Sequence, residues 1–216
     1  VFPVVLKRRV EMAQDVARYE LAAADGSPLP PFEAGAHIDV VIAPEYQRQY
    51  SLAGNPADPS HYVLGVLREP QGRGGSALMH RVFREGRKIF ISRPANHFPL
   101  HEDAAMTLLF AGGIGITPML TMAHRLHALG KPFALHYSAA SRRTAGFLDD
   151  LAQAPWRDKV QLHFKDEGAR ADLPLLMPHY QPGYHAYTCG APRFMDGVFE
   201  AATANSWPED ALHREY

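Results

Sequence analysis

A continuous apolar run, Met106-Thr107-Leu108-Leu109-Phe110-Ala111, leads directly into Gly112-Gly113-Ile114-Gly115-Ile116-Thr117-Pro118, and this junction leaves the second half of the chain few folds to choose from. Such a short apolar stretch suits a strand covered on both faces in a parallel sheet, and a parallel strand needs a crossover helix after it. The spacing predicts that helix, with Thr117 as N-cap, Pro118 at its first position, Gly130 just past its end, and Met119, Met122, Ala123, Leu126 and Leu129 as its apolar stripe. The alternation continues through strands at Phe133 to Ser138, Val160 to Phe164, Tyr184 to Cys189 and Leu212 to Tyr216, with helices near Ala145 to Leu151 and from Pro192 to Ala202. Residues 104–216 therefore read as an open, doubly wound parallel α/β domain, the architecture most used for nucleotides.

Up to Pro99 the grammar differs. Short β-prone runs at Val4 to Leu6, Ala17 to Leu21, His37 to Ile42, Tyr62 to Leu67 and Lys88 to Ile91 are broken by turn residues such as Asp25-Gly26. An antiparallel barrel or sandwich over residues 1–100 is the economical reading, with one short helix from Ser76 to Phe83 whose Leu78, Val82 and Phe83 share a face.

Composition removes several function classes. The formal charge of −1 offers no bulk attraction to nucleic acid or to an anionic membrane, and no apolar run approaches the ~20 residues needed to span a bilayer. The chain reads as cytoplasmic. Its single cysteine, Cys189, excludes an intrachain disulfide and a four-cysteine metal or cluster site made from these residues alone. His124 and His127 share a helix but lack a carboxylate at ligand spacing, so no metal site is expected; no Gly-x-Ser-x-Gly elbow occurs. The absent initiator methionine and the end at Tyr216 suggest a longer natural chain.

Three constellations carry chemistry. In Gly72-Arg73-Gly74-Gly75-Ser76 the glycines let backbone N–H groups face an anion, Ser76 adds a hydroxyl at a helix start and Arg73 a fixed cation; a phosphate cradle stands beside a plain glycine-rich turn. Gly112 to Pro118 fits a strand–loop–helix phosphate turn or a tight structural turn, but it departs from Gly-x-Gly-x-x-Gly. No acidic residue follows near Lys131 to Tyr137 to hold a ribose hydroxyl, so the ordinary dinucleotide fingerprint is missing. In Arg48-Gln49-Tyr50-Ser51-Leu52, strand alternation puts Arg48 and Tyr50 on one face and Ser51 on the other. Beyond the second parallel strand, Ser138 and Arg142-Arg143 sit where an adenosine ribose would lie; the two arginines would either accept a 2′-phosphate or remain solvated.

In this order the motifs resemble the ferredoxin–NAD(P)+ reductase-like flavoproteins, within them the phthalate dioxygenase reductase and vanillate demethylase reductase group that serves Rieske oxygenases. The resemblance spans nearly the whole chain. It implies a six-stranded Greek-key β-barrel binding FMN, then an NADH-binding α/β domain, with a C-terminal [2Fe–2S] domain expected in the full-length protein and absent from these residues. It further implies that Arg48 and Arg73 pair with the FMN phosphate, that Gly74, Gly75 and Ser76 donate to it, and that Gln49 and Tyr50 lie along the flavin strand. Ser51 would meet flavin N5 or O4, Gly65, Val66 and Leu67 the pyrimidine edge, and Tyr216 the ring. Gly112, Gly113, Gly115, Ile116, Thr117 and Pro118 would hold the pyridine nucleotide, with Thr117 between the two nucleotides. Cys189, Gly190 and Pro192 would form the nicotinamide-side turn, with an inert, half-buried thiol as the lesser alternative for Cys189. Ser51, Thr117 and Cys189 are thus the expected catalytic trio, no metal ligand is expected among these residues, and the chain is expected to be a monomer. NADPH in place of NADH, FAD in place of FMN, a non-catalytic flavin-binding regulatory module and a free flavin reductase remain alternatives.

Overall fold

The computed structural model describes residues 1–216. The first half holds β1 (Phe2–Ala13), β2 (Val16–Ala22), β3 (His37–Ala43), β4 (Tyr46–Ser51), β5 (Tyr62–Leu67), helix α1 (Gly75–Val82) and β6 (Lys88–Ile91). These six strands form one antiparallel sheet in the order β4-β3-β6-β1-β2-β5, the barrel-like Greek-key arrangement. Its inner face follows from the period-2 pattern: Leu6, Tyr19, Leu21, Ile38, Val40, Leu64 and Val66 are all buried. The outermost strands β4 and β5 are not hydrogen-bonded to each other, so the barrel stays open along one seam.

The second half holds β7 (Met106–Gly112), α2 (Ile116–Leu129), β8 (Phe133–Ala139), α3 (Leu148–Gln153), β9 (Val160–Phe164), α4 (Leu173–Leu176), β10 (Tyr184–Cys189), α5 (Pro192–Ala204) and β11 (Leu212–Glu215). The five strands are parallel, in the order β11-β10-β7-β8-β9. Both faces are covered, as the apolar run of β7 requires: Leu109 and Ala111 pack with α2, Leu108 and Phe110 with α5. The winding reverses between β7 and β10, and the crevice at their carboxyl ends is where ligands of such sheets bind. The core beneath α2 also contains Ala34, Ala53, Val63 and Phe98, so the two halves share one apolar cluster.

Local chemistry shifted several expected boundaries. A 3₁₀ turn, Gly113–Gly115, runs straight into α2, so Gly115 and not Thr117 is the N-cap; Thr117 and Pro118 fall inside the first turn, and Thr117 Oγ1 bonds back to the Ile114 carbonyl at 3.2 Å. Gly130 does close α2 in the left-handed region, at φ 68°. Leu129, expected in the stripe, is 37% exposed in the last turn. The helix expected from Ala145 starts at Leu148, because Phe147 adopts φ 65° while its ring is buried against the other half. In α1, Met79 and His80 are buried and Leu78 and Val82 only half-buried, since His80 Nε2 lies 2.8 Å from the Val66 carbonyl.

Candidate functional site

A cavity of about 1320 Å³ lies along the open seam of the barrel and the carboxyl ends of the parallel strands. That exceeds the roughly 300–1,000 Å³ typical of a single small-ligand pocket. Most of the expected site residues line it: Arg48 to Ser51 from β4, Gly65 and Leu67 from β5, and Arg73, Gly75 and Ser76 at α1. From the parallel sheet come Gly112, Gly113, Gly115 and Thr117, then Ser138, and then Cys189, Gly190 and Pro192, with Tyr216 at the chain end. Val66, Gly74, Ile116 and Pro118 do not line it.

Arg142 and Arg143 stay outside the cavity. Arg142 pairs with Glu167 at 2.9 Å and lies over the Phe164 ring. Other cations do line the cavity, Lys165 and Arg170 beyond β9 and Arg193 at the start of α5. Nothing in the sequence marked them, because their place depends on the strand order.

The first anion-ready corner sits at the start of α1. Gly74 takes φ 92°, which only glycine adopts without strain, and no side chain caps the helix, so its first N–H groups are left free. A Cβ on Gly75 would fall 2.6 Å from Arg48 Nε, so the guanidinium lies directly against bare backbone. Neither Arg48 nor Arg73 is paired with a carboxylate. Ser76 Oγ accepts from the Glu69 N–H at 3.0 Å and keeps its own proton to donate. Free amides, two unpaired guanidinium groups and a hydroxyl form a donor set suited to a phosphate.

The second corner is the turn after β7. A Cβ on Gly115 would lie 2.1 Å from the Cys189 carbonyl oxygen, so the loops after β7 and β10 touch through backbone alone. Ser138, at the end of β8, keeps a buried hydroxyl without a partner. The two corners meet where Thr117 faces β5: a Cβ on Gly65 would be 2.4 Å from the Phe147 ring and 3.1 Å from Thr117 Cγ2.

Beside Ser51 and Cys189 stands a carboxylate that the sequence reading missed. Glu215, the last residue of β11, accepts a hydrogen bond from Ser51 Oγ at 3.1 Å, and its other oxygen is buried without a partner. Burial pushes its pKa up, opposed by the Ser51 hydrogen bond and by His97. Burial, reinforced by Glu215, also raises the Cys189 thiol to about 12, so Cys189 is a neutral thiol and not a thiolate nucleophile. Tyr216 is 80% exposed at the rim, with the Arg214 guanidinium 5.6 Å from its ring centre.

No family model matches the chain. It is 45% identical over 213 residues to a vanillate O-demethylase oxidoreductase of Pseudomonas putida, covering 98% of this chain and 67% of that one. It is 37% identical over 208 residues to a phthalate dioxygenase reductase of Burkholderia cepacia, covering 95% of this chain and 64% of the relative. The chain thus spans about two thirds of the length of these relatives. Among solved structures, a phthalate dioxygenase reductase described as a modular structure for electron transfer from pyridine nucleotides to [2Fe–2S] superposes with a TM-score of 0.93 at 35% identity, over 99% of this chain and 67% of that one. A type IV self-sufficient cytochrome P450 monooxygenase superposes at 0.92 with 38% identity over 99% of this chain, which matches 27% of the larger protein. With its two-sheet fold and its relatives in agreement, the chain belongs to the NAD(P)H-dependent electron-transfer oxidoreductases of the phthalate dioxygenase reductase and vanillate O-demethylase oxidoreductase family.

Proposed function

We propose that this protein is the reductase component of a Rieske-type oxygenase or demethylase system, holding FMN along the open seam of an N-terminal domain (1–100) and NADH on a C-terminal domain (104–216). The observation that carries this reading is the pairing of two anion-ready corners, one on each sheet, within a single cavity. When bound, FMN would accept hydride from NADH and release electrons singly to a [2Fe–2S] centre, which we place in a further C-terminal domain and which in turn serves the oxygenase.

The chain's own residues have distinct tasks. Arg48, Arg73 and the free amides at Gly75 and Ser76 hold the FMN phosphate. Thr117 against Gly65, and Gly115 against Cys189, set how closely the two nucleotide sites approach. The neutral Cys189 thiol offers a small apolar wall, and the Ser51 hydroxyl, whose proton is directed to Glu215, presents its lone pairs as a hydrogen-bond acceptor. Tyr216 at the rim covers the edge of the site. No side chain has to add a proton to carbon, so the protein contributes binding, orientation and dryness. The protein is a cytoplasmic monomer in this reading. Lys165 and Arg170, both cavity-lining, support NADPH as a second donor.

The test replaces both cradle arginines. Arg48→Ala with Arg73→Ala should release FMN from the purified protein, whereas flavin retained at unchanged affinity refutes the cradle. Rapid bleaching of the flavin band on mixing with NADH would distinguish the reductase from a flavin-binding module, which would stay coloured.

A further inference from the structure

Outside the cavity, three histidines from three separate segments converge. His185 comes from β10, His213 from β11, and His101 from the stretch joining β6 to β7. His185 Nδ1 and His213 Nε2 are 2.9 Å apart, and one ligand-type atom from each of the three rings falls within 4.8 Å of the others. The rings overlap face to face, His101 on His185 at 4.4 Å and on His213 at 4.8 Å between centroids. None of the three lines the cavity.

We propose that His101, His185 and His213 form a binding site for one divalent transition cation of the zinc class, bracing the segment between the two sheets against the edge strands β10 and β11. Three imidazole nitrogens are the donor set such cations prefer, and tetrahedral zinc, at a Zn–N distance of about 2.0–2.1 Å, would place its ligand nitrogens roughly 3.3 Å apart. The present separations bracket that value; because stacked rings aim their in-plane lone pairs in parallel, His101 must also turn out of the stack to ligate, and it has that freedom, its side chain being exposed and without a hydrogen bond. Its backbone is already anchored, its N–H donating to the Tyr187 hydroxyl at 2.7 Å, so the ligand is held near the site without being locked. Tyr187 in turn stacks on His213 at 4.5 Å, which fixes that ring's plane.

Asp103 and Asp210 add negative potential at His185, which suits a cation. The His185–His213 hydrogen bond would be exchanged for two metal bonds, its proton moving to the outer nitrogen of the ring that carries it so that both rings ligate as neutral imidazoles.

The experiment titrates zinc chloride into tag-free, chelator-washed protein by calorimetry at neutral pH and follows the melting temperature in parallel. The expected result is saturation at one equivalent, a raised melting temperature and reversal by chelator. His185→Gln with His213→Gln should weaken binding by at least about tenfold, on the scale of lost ligand shells. Should that pair fail to fold, His101→Ala, an exposed residue, carries the test with the same expected loss. No saturable zinc binding by the unaltered protein, or binding equally tight in His101→Ala, would overturn the site and leave the three rings as a stack alone.

Discussion

Ser51 Oγ donates to Glu215 Oε1 across 3.1 Å, joining the last residue of β4 to the last residue of β11. The bond ties the open edge of the barrel to the outer edge of the parallel sheet, 164 residues along the chain. It is also the only hydrogen bond made by a carboxylate whose second oxygen is buried and unpartnered.

The first prediction concerns that carboxylate. Burial raises its folded-state pKa above the ordinary value of about 4.3. A raised pKa means that the folded state binds the proton more tightly, so Glu215 contributes stability fully below about pH 4.3 and loses it as pH rises through the folded value. Glu215→Gln should therefore match the parent protein in denaturant unfolding near pH 4 and exceed it in stability at pH 8. Ser51→Ala should act oppositely at pH 8, costing about 1–3 kcal/mol by stranding Glu215. Equal pH slopes for the parent and Glu215→Gln would sink this reading.

Gly115→Ala is the second. Gly115 has ordinary helical dihedrals, so the cost is not backbone strain; the added carbon would sit 2.1 Å from the Cys189 carbonyl oxygen. Backbone must move, and overpacking of this kind typically costs about 1–3 kcal/mol. The expected outcome is a lower melting temperature together with weaker NADH binding, while Gly113→Ala, with open space around its Cβ, loses stability only through its left-handed φ of 55°. A Gly115→Ala protein that melts like its parent would disprove the close approach.

How much of this was legible in advance depended on range. The strand runs, the period change near residue 102 and both glycine corners lie in local sequence, and β4, β7 and α2 fall where alternation and apolar periodicity put them. Lys165, Arg170 and Glu215 were not legible, because only the order β11-β10-β7-β8-β9 brings the first two to the cavity and the third against Ser51. Arg142 shows the converse: a promising position after β8 is drawn aside by Glu167 and by the Phe164 ring. Thr117 looked like a cap because its residue type favours that role, yet a 3₁₀ turn upstream took it.

A third prediction uses pH in the other direction. His136 stacks on Phe110 at 5.2 Å with its Nδ1 3.1 Å from His163 Nε2, and burial followed by repulsion from His163 lowers its pKa to about 4. A depressed histidine supports folding above its unfolded pKa of about 6.5 and withdraws that support as pH falls through about 4. Unfolding free energy should drop between pH 7.5 and 4.5 by on the order of 2 kcal/mol more in the parent than in His136→Gln. Parallel curves for the two proteins would contradict it.

The fourth prediction addresses the nucleotide end. Lys165 and Arg170 enter the cavity beyond Ser138, and Arg193 lines it from the start of α5. Replacing Lys165 and Arg170 with alanine should lower kcat/KM for NADPH by about tenfold or more, corresponding to about 1.4 kcal/mol, and affect NADH less. Steady-state kinetics with each donor checks it; an equal loss for both would mean that the pair contacts groups common to the two nucleotides.

Gly65 has a consequence for how such a protein can vary. Where Thr117 and the Phe147 ring close on a residue with no side chain, the gap between the halves is set by main chain on one side and a buried aromatic on the other. Substitutions elsewhere on the cavity wall leave that gap untouched, whereas any side chain at position 65 would push the two halves apart.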